Sequence, residues 1–139
     1  MEEWQTILIQ LLWSACVHEL RIDVYLGNKL LGYNNISIFP SRLTELNLFQ
    51  SKLVEDPMPI LEALPNLRIL LLSEAFEGEE IVCFSNGFLQ LRSLKLKWLG
   101  NLQSWRVEDG AMPKPSRLQF DSCLSLRAIP DGLAFVVFF

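Results

Sequence analysis

Reactive side chains are present in this chain, but their spacing does not form a recognisable catalytic arrangement. The only histidine is His18, and no G-x-S-x-G sequence occurs that would expose a nucleophilic serine on a strained turn. Glu79 with Glu80, and Glu108 with Asp109, lie in connecting segments, where carboxylates are more often solvated charges than acid–base pairs. We therefore expect no enzymatic activity.

The three cysteines, Cys16, Cys83 and Cys123, are odd in number and far apart. Without a C-x-x-C pair and with one histidine, they do not supply the ligand set of a zinc site. A G-x-x-x-x-G-K-[ST] loop, which would cradle the phosphates of a nucleotide, is absent as well. We expect no cofactor, and we interpret the thiols as unpaired groups in a reducing cytoplasm.

The composition is that of one folded domain with an acidic balance. The chain has 139 residues, 50% of them apolar, and a formal net charge of −4. This apolar content suffices for a single core and argues against a disordered chain. Lys and Arg form no long block, so the sequence lacks the clustered positive charge that nucleic-acid binding requires.

Residues 1–16 predict an amphipathic helix or cap that covers one end of a core. The apolar positions at helical spacing are Trp4, Ile7, Leu8, Leu11, Leu12 and Ala15. The apolar stretch over residues 7–17 is too short to span a bilayer, and Glu2 and Glu3 stand where a signal peptide carries positive charge. A membrane-surface helix is the alternative, although its polar face would lack Lys and Arg. We expect no integral membrane segment.

Apolar residues repeat along the chain with a period of 24 residues. Three columns share this spacing: Leu43, Leu67, Leu91 and Pro115; Leu46, Leu70, Leu94 and Leu118; and Leu48, Leu72, Leu96 and Phe120. Each unit reads L-x-x-L-x-L, with Pro and Phe as substitutes in the last. A looser unit, VHELRI, begins at Val17 and precedes its successor by 26 residues. An L-x-x-L-x-L core at this period is the leucine-rich repeat pattern.

The pattern predicts an α/β solenoid, a horseshoe segment in which a parallel β-sheet lines the concave side. In x-L-x-L-x the two leucines face inward, and one strand cannot bury them without stacked neighbours. We assign residues 17–42 to a degenerate leucine-rich repeat and residues 43–139 to four repeats of 24 residues, the last truncated.

The chain must return along the convex side of each repeat through short helical or irregular segments. Asp56 followed by Pro57 predicts a capped helix start in the first of these returns. The later returns contain glycines and are predicted to be irregular or 3₁₀. These glycines are Gly78, Gly87, Gly100 and Gly110.

The outward strand positions form the candidate protein-binding surface. Column by column they are Glu45, Ile69, Ser93 and Arg117; Asn47, Leu71, Lys95 and Gln119; and Phe49, Ser73, Lys97 and Asp121. The core requires no apolar residue at these positions, yet Phe49, Ile69 and Leu71 occupy three of them. An exposed apolar group with a charged rim is typical of a contact surface, although scattered surface apolar residues are also ordinary.

The stretches EDPMPILEALPNLRIL, LGNLQSWRVEDGAMP and SCLSLRAIPDGL resemble the leucine-rich repeat region of plant nucleotide-binding leucine-rich repeat (NLR) immune receptors of the coiled-coil class. The resemblance covers residues 43–133. It implies a cytoplasmic defence protein whose repeats contact a protein, either a pathogen effector or the receptor's own nucleotide-binding domain. Trp98 and Trp105 fit the pattern of the third repeat, and we interpret both as packing residues.

Two functional hypotheses remain open. In the first, the concave face is the protein-interaction module of such a receptor and contributes to effector recognition, to autoinhibition, or to both. In the second, the chain is a purely structural solenoid fragment or a truncated product with no ligand of its own. The second draws on the missing nucleotide loop and on the apolar run AFVVFF, which predicts self-association through uncapped ends.

Overall fold

The computed structural model describes residues 17–27, 39–113, 115–127 and 137–138, so the helix predicted over residues 1–16 lies outside the described part. The elements within it are β1 (Glu19–Asp23), β2 (Glu45–Phe49), α1 (Met58–Leu61), β3 (Ile69–Ser73), β4 (Glu80–Cys83), β5 (Ser93–Lys97), β6 (Ser104–Val107), β7 (Arg117–Asp121) and β8 (Val137–Phe138). Among these residues, six strands form one parallel sheet in the order β1-β2-β3-β5-β7-β8. The predicted solenoid with a parallel sheet is confirmed.

The register of the sheet matches the leucine columns of the sequence. Leu46 stands opposite Leu70, Leu70 opposite Leu94, and Leu94 opposite Leu118, and all four side chains are buried. In β1 the loose unit joins with its predicted alignment, because Leu20 pairs with Leu46. The exact bounds of the assigned repeats stay predictions.

The corner that follows each strand is built by a residue with left-handed backbone geometry. Gln50, Glu74, Trp98 and Ser122 have φ values of 55°, 49°, 56° and 58°, and they recur at the 24-residue period. Positive φ is uncommon for residues other than glycine, so the surroundings must hold it. They do so by hydrogen bonds: the N–H of Gln50 donates to the Ser73 carbonyl, and the N–H of Glu74 donates to the Lys97 carbonyl.

The first convex return has the capped helix that the sequence predicts. The Oδ1 atom of Asp56 accepts a hydrogen bond from the Met58 N–H at 2.9 Å, and α1 follows directly. The Oδ2 atom of the same carboxylate accepts a bond from the Val82 N–H at 2.8 Å. Asp56 therefore joins two consecutive returns as well as capping a helix. Burial raises its pKa above the ordinary value for an aspartate.

The later returns differ from the irregular structure expected from their glycines. In the described residues, β4 and β6 form a second, two-stranded parallel sheet in which Ile81 stands opposite Trp105. Both side chains are buried, and so is Cys83, which gives β4 the alternating burial of a strand. The expectation was wrong because Ile81-Val82-Cys83 already has the residue types and period of a strand, which the neighbouring glycines do not override.

Trp105 is a packing residue, as predicted. Its indole Nε1–H donates to the Cys83 sulfur at 3.4 Å, and its ring lies edge-on to Phe120 with centroids 5.7 Å apart. Burial raises the pKa of the Cys83 thiol to about 12, so the thiol is protonated at neutral pH. Cys83 and Cys123 are free thiols, and Cys16 lies outside the described residues.

Acidic residues on the convex side serve as backbone acceptors. Glu62 accepts a hydrogen bond from the Phe84 N–H at 2.9 Å, and Glu108 accepts one from the Ser85 N–H at 3.0 Å. Glycine is required at Gly87 because an added Cβ there would collide with the Glu62 carboxylate. These contacts give the carboxylates a structural use.

The strand β8 adds to the sheet beside β7, with Val137 opposite Leu118. The predicted self-association through the ends of the solenoid stays a prediction. No helix among the described residues is long and apolar enough to cross a membrane.

Replacement of an inward residue should be far more damaging than replacement of its outward neighbour. Leu94→Asp removes the burial of a leucine, worth roughly 1.5–3 kcal/mol, and also places a charge in the core. Lys95→Asp changes a side chain that points away from the core, so the free energy of unfolding should change little. Urea denaturation of both variants checks this, and similar midpoints would contradict the register.

The buried carboxylate of Asp56 should give stability a characteristic dependence on pH. Its pKa is raised in the folded state, so its contribution is fully present below the unfolded pKa and is lost as pH rises through the folded pKa. Relative to Asp56→Asn, which does not titrate, the wild-type chain should therefore lose unfolding free energy as pH rises from about 4. Urea midpoints measured across this range, with Glu55→Gln as the charge-loss control, test the sign. A wild-type advantage that grows with pH would contradict it.

Candidate functional site

The concave face is a flat array of outward side chains on rigid strands. The predicted residues lie in the three columns expected of them: Glu45, Ile69, Ser93 and Arg117; Asn47, Leu71, Lys95 and Gln119; and Phe49, Ser73, Lys97 and Asp121. The strand β1 adds one residue to each column, namely Glu19, Arg21 and Asp23. Sequence reasoning left these three out of the site, although the spacing of VHELRI already aligned them.

The apolar group at the centre of this face is less exposed than the sequence predicts. Ile69 is 40% exposed, whereas Leu71 on the same strand is half-buried. Phe49 is also half-buried, because the Arg21 guanidinium lies over its ring at 3.9 Å from the centroid. Phe49 pairs with Ser73 and is a diagonal neighbour of Leu71. The apolar surface is therefore narrow, and a cation covers part of it.

Charge on the concave face is separated along the sheet. The strands β1 and β2 present three carboxylates and one guanidinium: Glu19, Asp23 and Glu45, with Arg21. The strands β5 and β7 present three cations and one carboxylate: Lys95, Lys97 and Arg117, with Asp121. Four strand spacings separate β1 from β7, a distance of about 19 Å. The face thus runs from an acidic end over a narrow apolar centre to a basic end.

One side-chain contact stiffens the acidic end. The Nδ2 atom of Asn47 donates a hydrogen bond to the Glu45 Oε2 atom at 3.1 Å. This contact joins two neighbouring outward positions of β2 and orients the Glu45 carboxylate before any partner binds.

Trp98 contradicts the interpretation as a packing residue. Its side chain is 58% exposed, in contrast to the buried Trp105. The reason is its place at a left-handed corner, where its N–H donates to the Asp121 carbonyl at 2.9 Å and the next residue, Leu99, enters the core. The family pattern of tryptophans did not reveal which of the two would face solvent. The corner column of Gln50, Glu74, Trp98 and Ser122, being otherwise polar, was the signal that could have done so.

The chemistry available at the concave face is that of binding. Its outward side chains supply charge, hydrogen-bond donors and acceptors, and a small apolar centre. Among the residues that the structure describes, no group of three or more His, Cys, Asp and Glu side chains could hold a metal ion. Rigid strands that carry such side chains in fixed columns suit recognition of a surface of complementary charge.

Known proteins with related sequences are plant disease-resistance proteins from Arabidopsis thaliana. The chain is 44% identical over 115 residues to the probable disease resistance RPP8-like protein 2, which covers 82% of the chain and 13% of that protein. It is 39% identical over 132 residues to the probable disease resistance protein RF9, or 94% of the chain and 12% of that protein. It is 40% identical over 99 residues to the disease resistance protein RPP8, or 70% of the chain and 11% of that protein.

The chain therefore spans only about an eighth of the length of these relatives. No protein-family model matches it, and no solved structure matches it significantly. The relatedness extends over most of the chain, and the repeats that carry it are the ones that build the parallel sheet. By sequence relationship and by fold, this chain belongs to the plant disease-resistance proteins, in which it forms a leucine-rich repeat segment.

Proposed function

We propose that the chain is a protein-interaction module of a plant intracellular immune receptor and that its concave face makes the contact. In the cytoplasm it contributes to effector recognition, to autoinhibition of the receptor, or to both, and it has no catalytic role. The observation that carries this proposal is the charge-separated concave face, with Ile69 and Leu71 between its acidic and basic ends.

The core gives no reason for the residue types on this face. The inward columns close the solenoid without help from Phe49, Ile69, Leu71, Lys95 or Lys97, since each of these points away from the leucines. An apolar centre can supply the desolvated part of an interface, and charges at either end can fix the orientation of the partner. A partner that fits is a protein surface with a basic region, an apolar region and an acidic region in that order.

A purely structural segment is the second candidate. Its support is the parallel stacking itself: an edge strand such as β1 offers backbone groups that a further repeat could pair with. In that case the outward residues would carry no function, and their replacement would change neither binding nor signalling.

Removal of the apolar centre should weaken partner binding while the fold remains. Leu71→Ala and Phe49→Ala should each lower affinity by roughly 1–3 kcal/mol, because buried anchors dominate interfaces. The measurement is titration of the chain against the nucleotide-binding domain of the same receptor and against a candidate effector. Leu89→Ala is the matched control, because Leu89 is 49% exposed but lies on a convex return.

The same substitutions can be placed in a full-length receptor by exchanging this chain for the matching repeats of the RPP8-like protein 2 relative. Loss of the pathogen response would indicate effector recognition, whereas cell death without pathogen would indicate autoinhibition. If neither output changes with Leu71→Ala or Phe49→Ala, while Leu89→Ala alters one, recognition lies off the concave face. If all three are silent, the structural candidate is favoured.

Reversal of the basic end should act mainly on the rate of association. Lys95→Glu combined with Lys97→Glu removes two cations from one side of the face and should slow binding of an acidic partner region, more strongly at low salt. Stopped-flow association at two ionic strengths measures this effect. Arg106→Glu on β6 is the control for a reversed charge away from the concave face. An equal effect of both changes would show that only net charge matters.

A further inference from the structure

A groove beside Trp98 exists because one repeat lacks a side chain that its neighbours have. Lys52, Phe76 and Gly100 occupy equivalent positions at the 24-residue period, just beyond the strand corners. An added Cβ at Gly100 would meet no heavy atom within 4 Å, so the space beside it is open. The result is a groove of about 240 Å³ that is lined by all three residues together with Trp98 and its neighbours.

The tryptophan of this groove is held in place before any ligand binds. Its backbone is fixed in the left-handed conformation by the bond from its N–H to the Asp121 carbonyl. More than half of the side chain is exposed, although tryptophan is the side chain with the largest apolar surface to bury. An exposed, positioned tryptophan at the wall of a groove is a common anchor of protein interfaces.

The charges of the groove favour a cation. Glu74 and Glu77 contribute two carboxylates, whereas Lys52 contributes one ammonium group. Within the described part of the chain, no ion pair shorter than 4.0 Å engages either carboxylate. The backbone of Glu77 is fixed from two sides, because its N–H donates to the Leu53 carbonyl at 3.0 Å and its carbonyl accepts from the Asn101 Nδ2 at 3.0 Å.

The size of the groove indicates a single side chain as its occupant. Pockets for small-molecule ligands usually have volumes of roughly 300–1,000 Å³, and this groove is smaller. A guanidinium group can stack on the indole face and bind a carboxylate through two N–H groups, which an ammonium group cannot do. The chain uses the same chemistry on its concave face, where the guanidinium of Arg21 stacks on Phe49.

We propose that the groove between Trp98 and Gly100 is a receptor for an arginine side chain on a partner protein, with Trp98 stacking on the guanidinium and Glu74 and Glu77 balancing its charge. The site lies at the corners of the strands and so goes beyond the concave face of the proposed function. It would add a contact of fixed position beside that face, and it can fail while the concave-face proposal stands.

The test uses the full chain and two short blocked peptides, Gly-Arg-Gly and Gly-citrulline-Gly. Citrulline keeps the shape of arginine but has no charge. The arginine peptide should bind more tightly by roughly 2- to 30-fold, the range expected of a cation over a tryptophan face. Titration followed by the NMR signal of the Trp98 indole N–H gives both affinities. Equal binding of the two peptides, or no binding at millimolar concentration, overturns the proposal.

Four variants separate this site from a non-specific acidic surface. Trp98→Leu keeps an apolar side chain but removes the aromatic face, and Gly100→Phe fills the groove with the residue of the preceding repeat. Both should abolish the preference for arginine, with circular dichroism as the check on the fold. Glu74→Gln should weaken binding of the arginine peptide, and Lys52→Gln should strengthen it.

Matched controls decide between the two surfaces of the solenoid. Glu55→Gln removes an exposed carboxylate outside the groove lining, and Leu71→Ala alters the concave face, so neither should change peptide affinity. If Gly100→Phe binds the arginine peptide as well as the unmodified chain does, the groove is not the site. If Leu71→Ala abolishes peptide binding while Trp98→Leu does not, the arginine is held on the concave face and the inference is wrong.

Discussion

Burial of leucine side chains between successive turns is the constraint on which the rest of this structure depends. A single x-L-x-L-x strand leaves its two leucines in water, so stability comes only when neighbouring units stack in register. The constant 24-residue period keeps Leu46, Leu70, Leu94 and Leu118 at one height in the sheet. Every outward side chain takes its position from this core, because each lies between two inward positions on the same strand. The binding surface is thus a by-product of core packing, and its residue types are free to vary.

The strand corners show how the fold tolerates strained backbone at regular intervals. A residue other than glycine in the left-handed region costs of order 1–3 kcal/mol, yet four of these corners carry large or polar side chains. Each corner is followed by a residue that enters the core, and inter-strand hydrogen bonds hold the corner in place. The strain is therefore balanced by backbone pairing and by burial of the next residue. It has a consequence for function, since a left-handed corner turns its side chain to solvent, as Trp98 illustrates.

Acidic residues have two different uses on the two sides of the solenoid. On the convex side, Asp56, Glu62 and Glu108 accept hydrogen bonds from backbone N–H groups that the turns leave without strand partners. On the concave side, Glu19 and Asp23 project from β1 with no comparable backbone duty. The negative charge of the chain is therefore divided into a part that holds the returns together and a part that is available to a partner.

The sequence by itself determined the period, the inward columns, the outward columns and the family, because an L-x-x-L-x-L unit can bury its leucines in only one register. It also determined the role of Asp56, since an acid before a proline has a local meaning as a helix cap. The exposure of Trp98, the cover of Arg21 over Phe49 and the convex pair of β4 with β6 were decided only by the tertiary structure. Each of these depends on contacts between residues 22 to 28 positions apart in the chain, which meet when the turns stack. Local pattern can assign a residue to the inner or outer face, but only the stacked neighbours decide how much of an outward side chain remains exposed.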